Sequence, residues 1–454
     1  GQGRSTMRPL LSLLAAVFIS QSCADQNTPT LGTAFRVVFT RNFELSSTNC
    51  NLTLTIINPN NATARANIVY YTELYKYDSK NSTNYVVDAN GFLEVAFPHF
   101  DAWEYMNSGL QEQFDTRIVV TTDSNVTLVA NNYHPDGYGD SYLVLPYNLA
   151  GISYSVALPS PAPLQNGVIQ YSLVYLIPTS TDVNVTITVY GQTYRKLVKF
   201  GVGTPLTYFS VSYNVAKPDP VFFVTGDHPF LVVAAVSCLP SSSRKACDYA
   251  AFMPTPVPDP TCAFPGLFSD SHPTDTLNGQ RFGLAPVSSD CEASIATASN
   301  GVTATAITSN GSVQSIPSSL GDQVILTSTV SYIQPVRVGN VNNDGGSFLT
   351  VVPSVKQLVT GTVYFIARTA VSYAVVVSDS VAALSLSLDG AAAVPYYDKI
   401  SYNGTSYYYT TIQVNSTIVP SLHTLYSSLG KFVFYVTGSL NPGHLYGYYP
   451  AFNR

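Results

Sequence analysis

Charge is the scarcest commodity in this 454-residue chain: Asp, Glu, Lys and Arg together make up 11% of it, against about 25% in an average soluble domain. The net charge of −6 is thinly spread and no basic run occurs. That argues against a surface built to neutralise nucleic-acid phosphates. The six histidines are scattered, with no pair at metal-ligand spacing, so no metal or other cofactor is implied. Carboxylates are few and lie mostly in turn-like segments, which leaves no pair to assign to acid–base catalysis. No stretch beyond the N-terminal region reaches the roughly 18 apolar residues of a membrane span, and the ending LYGYYPAFNR lacks the hydrophobic tail of a lipid-anchor signal.

What fills the space is Val, Thr, Ser, Asn and 32 tyrosines, with a hydrophobic share of 46%. β-branched and aromatic residues favour strands. The expected fold class is therefore all-β, built from tandem sandwich-like modules with internal repeats and little helix. Only FDAWEYMNSGLQEQF (Phe100 to Phe114) offers room for one short helix.

One phrase occurs four times. GTAFRVVF, GISYSVAL, GQRFGLAP and GTVYFIAR start at Gly32, Gly151, Gly279 and Gly361, each shortly after a leucine (Leu31, Leu149, Leu277, Leu358). Each is expected to be the first strand of a module. Alternating stretches follow: NLTLTIIN from Asn51, NVTITVYG from Asn184, GVTATAIT from Gly301 and SVAALSLSL from Ser380. Period-two alternation reads as half-buried strand. RIVVTTDSNVTLVA (Arg117 to Ala130) and VFFVTGDHPFLVVAA from Val221 look like paired strand runs around polar hairpin turns. Apolar runs then end at Pro146, Pro254 and Pro353. The expected boundaries are 31–150, 151–278, 279–360 and 361–454, with a Pro-rich insert over 254–273.

The N-terminus carries an address. Met7 and Arg8, the apolar LLSLLAAVFI (Leu10 to Ile19) and Ser22-Cys23-Ala24 form a secretory signal peptide over 7–24. Eight Asn-x-Ser/Thr sequons, at Asn51, Asn61, Asn81, Asn125, Asn184, Asn310, Asn403 and Asn415, suit a secreted glycoprotein whose own surface is poor in charge. Five cysteines remain after the signal. In an oxidising compartment most should pair. The short spacing of Cys238 and Cys247 makes them the first expected disulfide, Cys262 and Cys291 the second, with Cys50 left over.

Three segments have a chemical reading. GDSYL (Gly139 to Leu143) carries the Gly-Asp-Ser of an esterase block, and His134, Asp140 and Ser141 lie close in sequence; a polar loop leading into a strand explains them more simply. NVNNDGG (Asn340 to Gly346) begins like a calcium loop, but the twelfth position is Val351 rather than a carboxylate. YYDKISYNGTSYYYTTI (Tyr396 to Ile412) concentrates tyrosine, and Tyr407, Tyr408 and Tyr409 form a candidate binding surface. On a strand, Tyr407 and Tyr409 share one face and Tyr408 takes the other.

VTTDSNVTLVANNY, SYLVLPYNLAGISYSV, SCLPSSSRKACDYAAFMP and the ending GKFVFYVTGSL…YGYYP, in that order, resemble the N-terminal domain of IgGFc-binding protein. The resemblance spans roughly residues 31 to 451. It implies an extracellular, mucus- or matrix-associated protein without catalytic residues. Its partners would be extracellular glycoproteins, mucins or matrix, with self-association as a further possibility and neither nucleic acid nor a membrane span involved. An adhesive protein using the tyrosine surface is the alternative, and a secreted hydrolase the one after that.

Overall fold

The computed structural model describes residues 29–42, 50–74, 77–98, 106–163, 167–240, 247–264, 266, 270–275, 281–291, 293–299, 302–308, 312–314, 323–328, 331–339, 346–393, 397–402, 404–441 and 444–453. The signal region 7–24 lies outside them, as do Asn310, Asn403 and residues 340–345 of the calcium-like loop. The fold is all-β. Its one α-helix among the described residues is Ser380–Ala383.

One strand order is written four times. In each copy a long strand runs past two sets of partners. Its first part pairs with the first and third strands; its second part pairs with the second and the closing strands. In the first copy the long strand is Arg117–Tyr133, flanked by Gly32–Val38 and Ala64–Leu74, then by Asn51–Asn58 and Gly139–Val144. In the second it is Val221–Pro240, with Gly151–Ala157, Val183–Val189, Tyr171–Pro178 and Cys247–Phe252. In the fourth it is Ser421–Asn441, with Val359–Ala367, Ser387–Leu388, Val371–Ser378 and His444–Tyr448. In the third copy the long strand is broken into Gln323–Ser328 and Ile333–Gly339, with His272–Asp275, Ala293–Ser299, Arg281–Pro286 and Phe348–Val351 around it.

This order corrects several sequence expectations. The polar centres of the long strands are not hairpin turns. Thr121, Asp123 and Asn125 are exposed while the residues on either side are buried, and the chain continues in one direction from the first sheet into the second. The polar residues mark where the strand leaves one hydrophobic layer for the other. The phrase at Gly279 does not open its copy: Arg281–Pro286 is a second strand, and His272–Asp275 holds the first position. The alternating stretches are not equivalent either. Asn51–Asn58 is a second strand, Val183–Val189 a third and Val302–Thr308 a fourth. Ser380–Ala383 is helical because the Asp379 side chain accepts from the N–H groups of Val381 and Ala382, a cap that starts a helix where alternation suggested a strand. Of the segment 100–114 expected to hold a short helix, residues 100–105 lie outside the described residues, and Gly109–Gln113 is a strand paired with Leu206–Ser212 of the second copy.

The four copies close into a ring. Arg36 Nη1 donates to the carbonyls of Pro178 and Phe200 at 2.9 and 2.7 Å. Arg117, paired with Asp115, donates to the carbonyls of Lys199, Gly201 and Thr204. Together they join copies one and two. Ser155 Oγ donates to Pro286 O between copies two and three. Tyr435 donates to Asp275 Oδ2 at 2.9 Å between copies three and four. Arg368 Nη1 donates to Glu94 Oε1 at 2.7 Å and returns the ring to its start.

Both expected disulfides are present, Cys238–Cys247 and Cys262–Cys291. Cys50 is buried and belongs to neither. Among the described residues no helix is long and apolar enough to cross a membrane.

Candidate functional site

The four closing strands meet at the centre of the ring. Each carries one particular residue six positions before a proline: Asp140 before Pro146, Asp248 before Pro254, Ser347 before Pro353 and His444 before Pro450. A closing strand is the edge of its sheet, so its outer N–H groups face the axis without a neighbouring strand to receive them. The two aspartates receive them instead. Asp140 Oδ1 accepts from the N–H groups of Ser141 and Gly447 at 2.8 and 2.9 Å, and Oδ2 from Ala251 and Leu349 at 3.3 and 3.4 Å. Asp248 accepts from Gly139, Ser347 and Leu445 at 3.1, 3.3 and 2.9 Å, with His444 Nδ1 3.8 Å away. Both carboxylates are buried. Burial pushes both carboxyls above their ordinary range. The N–H groups of Gly447 and Ser141 oppose this at Asp140, and His444 opposes it at Asp248. Glycine is required here: a Cβ on Gly447 would lie 2.3 Å from the Phe348 ring, and one on Gly346 2.6 Å from Leu445 N.

This hub accounts for GDSYL. Gly139–Val144 is a fully buried closing strand. Ser141 Oγ donates to Asn131 Oδ1 at 2.7 Å and bonds the Tyr133 hydroxyl. His134 Nδ1 accepts from Asp136 N and its ring lies against Tyr138. The structure does not bring His134, Asp140 and Ser141 together as a reactive group.

A cavity of about 410 Å³ opens at the proline end of the hub. Its wall takes residues from all four segments that follow the prolines: Leu149, Thr255 to Pro258, Ser354 with Lys356 and Gln357, and Phe452 with Asn453. Ile333, Gln334 and Tyr332 complete it from the third copy. The lining mixes apolar side chains such as Leu149, Ile333 and Phe452 with polar ones such as Gln334 and Asn453, which is the usual construction of a small-molecule site. Asp270 and His272 lie in this wall, both buried. Asp270 Oδ2 accepts from Ile333 N at 3.0 Å, and Oδ1 lies 3.3 Å from His272 Nε2. His272 Nδ1 faces Val352 O at 2.7 Å. Both ring nitrogens are thus engaged by the wall. Lys356, also in the lining, is exposed. None of these residues stood out in the sequence. The signal that reaches them is the shared proline register, because the cavity forms where four apolar-Pro runs end.

The tyrosine segment divides as alternation requires, though not as one surface. Tyr409 is 4% exposed and its hydroxyl donates to Val324 O at 3.3 Å, across the boundary with the third copy. Tyr407 packs against the core on the same side. Tyr408 is half-buried on the opposite face and meets the Tyr397 ring edge-on. Tyr409 is therefore no part of a binding surface, because the ring closure covers it. Of the sequons, Asn51, Asn61, Asn125, Asn184 and Asn415 are exposed and Asn81 is half-buried.

No protein-family model matches the chain, and no curated protein matches it. Among solved structures it is similar to a tetra-tandem repeat in the extending region of a large adhesion protein, at 10% identity and a TM-score of 0.10, over 92% of this chain and 98% of that one. At that TM-score the likeness carries no argument. The fold defines an all-β ring with an axial hub and a mixed polar and apolar cavity at its mouth.

Proposed function

We propose that this chain is a secreted, glycosylated, extracellular binding protein, associated with mucus or matrix, that acts through its axial cavity without catalysis there. The observation that carries the reading is the cavity itself: its wall draws on all four copies, so it exists only when the ring is closed. Supporting features are the signal-like N-terminus, the exposed sequons, two disulfides of the kind kept in oxidising compartments, and the motif order that resembles the N-terminal domain of IgGFc-binding protein. A cavity of this size, lined by Gln334, Asn453 and Lys356 beside apolar side chains, suits the end of a glycan on a glycoprotein or mucin.

The test is a glycan and glycoprotein array probed with the secreted chain, its Lys356→Glu and Gln334→Ala variants, and a Tyr408→Ser control. Signal lost in both cavity variants and kept in the control supports the reading. Signal unaffected by the cavity variants, or absent from the parent, overturns it.

A further inference from the structure

A second cluster lies on the fourth copy, away from the cavity. Asp389 sits in the turn between Ser387–Leu388 and Ala391–Ala392 with φ of 51°, a left-handed conformation that a non-glycine residue adopts at a cost. It is held there on both sides: its N–H donates to Thr424 O at 2.9 Å, and its Oδ1 accepts from Thr424 N at 2.8 Å. Oδ2 is left to meet His423 Nδ1 at 2.8 Å. The other ring nitrogen, Nε2, lies 3.0 Å from Ser416 Oγ and 2.9 Å from Ser421 Oγ. Ser421 Oγ donates to Ser416 Oγ at 2.6 Å. With that proton committed, Ser416 is the hydroxyl left to donate to Nε2. The imidazole is fixed from below by the Phe365 ring, stacked at 5.6 Å and 30°.

We propose that Ser416 is a nucleophilic serine, activated by His423 and oriented through Asp389, that reacts with short-chain acyl esters. Serine, base and orienting carboxylate are each within hydrogen-bond reach of the next, the arrangement that nucleophilic acyl transfer requires. Asp389 is a positioning residue: a carboxylate on Nδ1 holds the proton there and leaves Nε2 as the acceptor. Ser416 Oγ attacks the ester carbonyl carbon while Nε2 takes the hydroxyl proton. Nε2 then returns that proton to the departing alkoxide, which leaves as the alcohol. Water adds to the acyl-serine, giving its proton to Nε2. The carboxylic acid leaves as Ser416 recovers its proton. The loop between the two serines exposes Ile418 and Val419 (77% and 46%), an apolar neighbourhood open to solvent. It suits a small acyl group carried on a larger molecule better than a long chain needing a tunnel. The proposal goes beyond the cavity reading and does not depend on it.

The experiment exposes the secreted chain to a fluorophosphonate probe and maps the adduct by peptide mass spectrometry, with 4-nitrophenyl acetate hydrolysis followed in parallel. One adduct, on Ser416, is expected. Ser416→Ala removes the adduct and the hydrolysis while circular dichroism stays that of the parent. Asp389→Asn slows labelling by about 10-fold or more and displaces its pH profile, a change that loss of a purely structural contact would not produce. No adduct, an adduct on Ser421 or Ser141 instead, or an Asp389→Asn variant with the parent's rate and pH profile overturns the proposal.

Discussion

Asp140 Oδ1 accepts the backbone N–H of Gly447 at 2.9 Å, across 307 positions of sequence. The closing strand of the first copy thereby satisfies an edge group of the last. Asp140→Ala would leave the N–H groups of Ala251, Leu349 and Gly447 buried at the axis without this acceptor. Each such loss costs about 1–3 kcal/mol. A fall of several kcal/mol is expected in denaturant unfolding, with all four copies affected together because the hub joins them. An Asp140→Ala chain as stable as the parent would show that the hub is not what closes the ring.

The same carboxyls set a pH dependence. Burial raises Asp140 well above the ordinary carboxylate range and raises Asp248 as well. The folded state therefore holds protons that the unfolded chain releases near pH 4. Their contribution to stability is fully present below that ordinary value and is lost as pH rises through the folded values. Within the window each retained proton changes stability by about 1.4 kcal/mol per pH unit. The thermal midpoint of the parent is expected to fall from pH 5 towards pH 8. Asp140→Asn keeps an oxygen for the two short bonds from Ser141 and Gly447 and cannot titrate, so its midpoint falls less. A parent midpoint that rises over the same range contradicts this.

How far the sequence reveals this arrangement differs from element to element. The strand class follows from Val, Thr and Tyr at low charge. Spacing points to the Cys238–Cys247 disulfide, but it does not by itself fix the partner of Cys262 among the remaining cysteines. Gly32 and Gly151 do open first strands, and Gly361 lies two residues inside one. In the sequence the long strands read as hairpins, because a polar patch such as Thr121 to Asn125 has the composition of a turn. Only tertiary pairing shows that the chain crosses between layers there. The proline register was visible as well. What hid its meaning was the edge problem: Asp140 matters through N–H groups of three other strands, and no local pattern encodes them. The serine cluster was hidden for a similar reason, since Asp389 and His423 are 34 positions apart.

Ring closure has its own test. Arg368 and Glu94 are 12% and 25% exposed, and the guanidinium also lies over the Tyr133 ring at 5.1 Å. A partly buried, stacked pair contributes more than the 0–1 kcal/mol of an exposed one, on the order of 2 kcal/mol. Arg368→Ala is expected to lower stability by that amount. Hydrogen exchange should quicken in Gly91–Phe97 and Val359–Ala367, which face each other across the joint, and stay unchanged in Tyr171–Pro178. A double-mutant cycle with Glu94→Ala should return most of the loss as coupling. Exchange that quickens equally in the second copy would mean that the pair does not act at the joint.

The second disulfide ties binding to the fold. Cys291 packs with Val257 and Val287, and Tyr332 lies against that cluster. Val257 and Tyr332 both line the cavity. Cys262 sits four positions beyond Pro258, which also lines the cavity. The bond spans 29 positions, and closing a loop of that size stabilises by about 3 kcal/mol when the native geometry accepts it. Replacing Cys262 and Cys291 together by Ser should release the 254–264 segment. Unfolding of the other three copies should stay nearly unchanged, because the hub and the arginine joints lie elsewhere. Ligand retention on the array should fall as steeply as in Lys356→Glu, whereas Cys238→Ser with Cys247→Ser should leave it intact. Equal retention in both cysteine variants would place the binding surface away from the insert, and the cavity would lose its claim to the ligand.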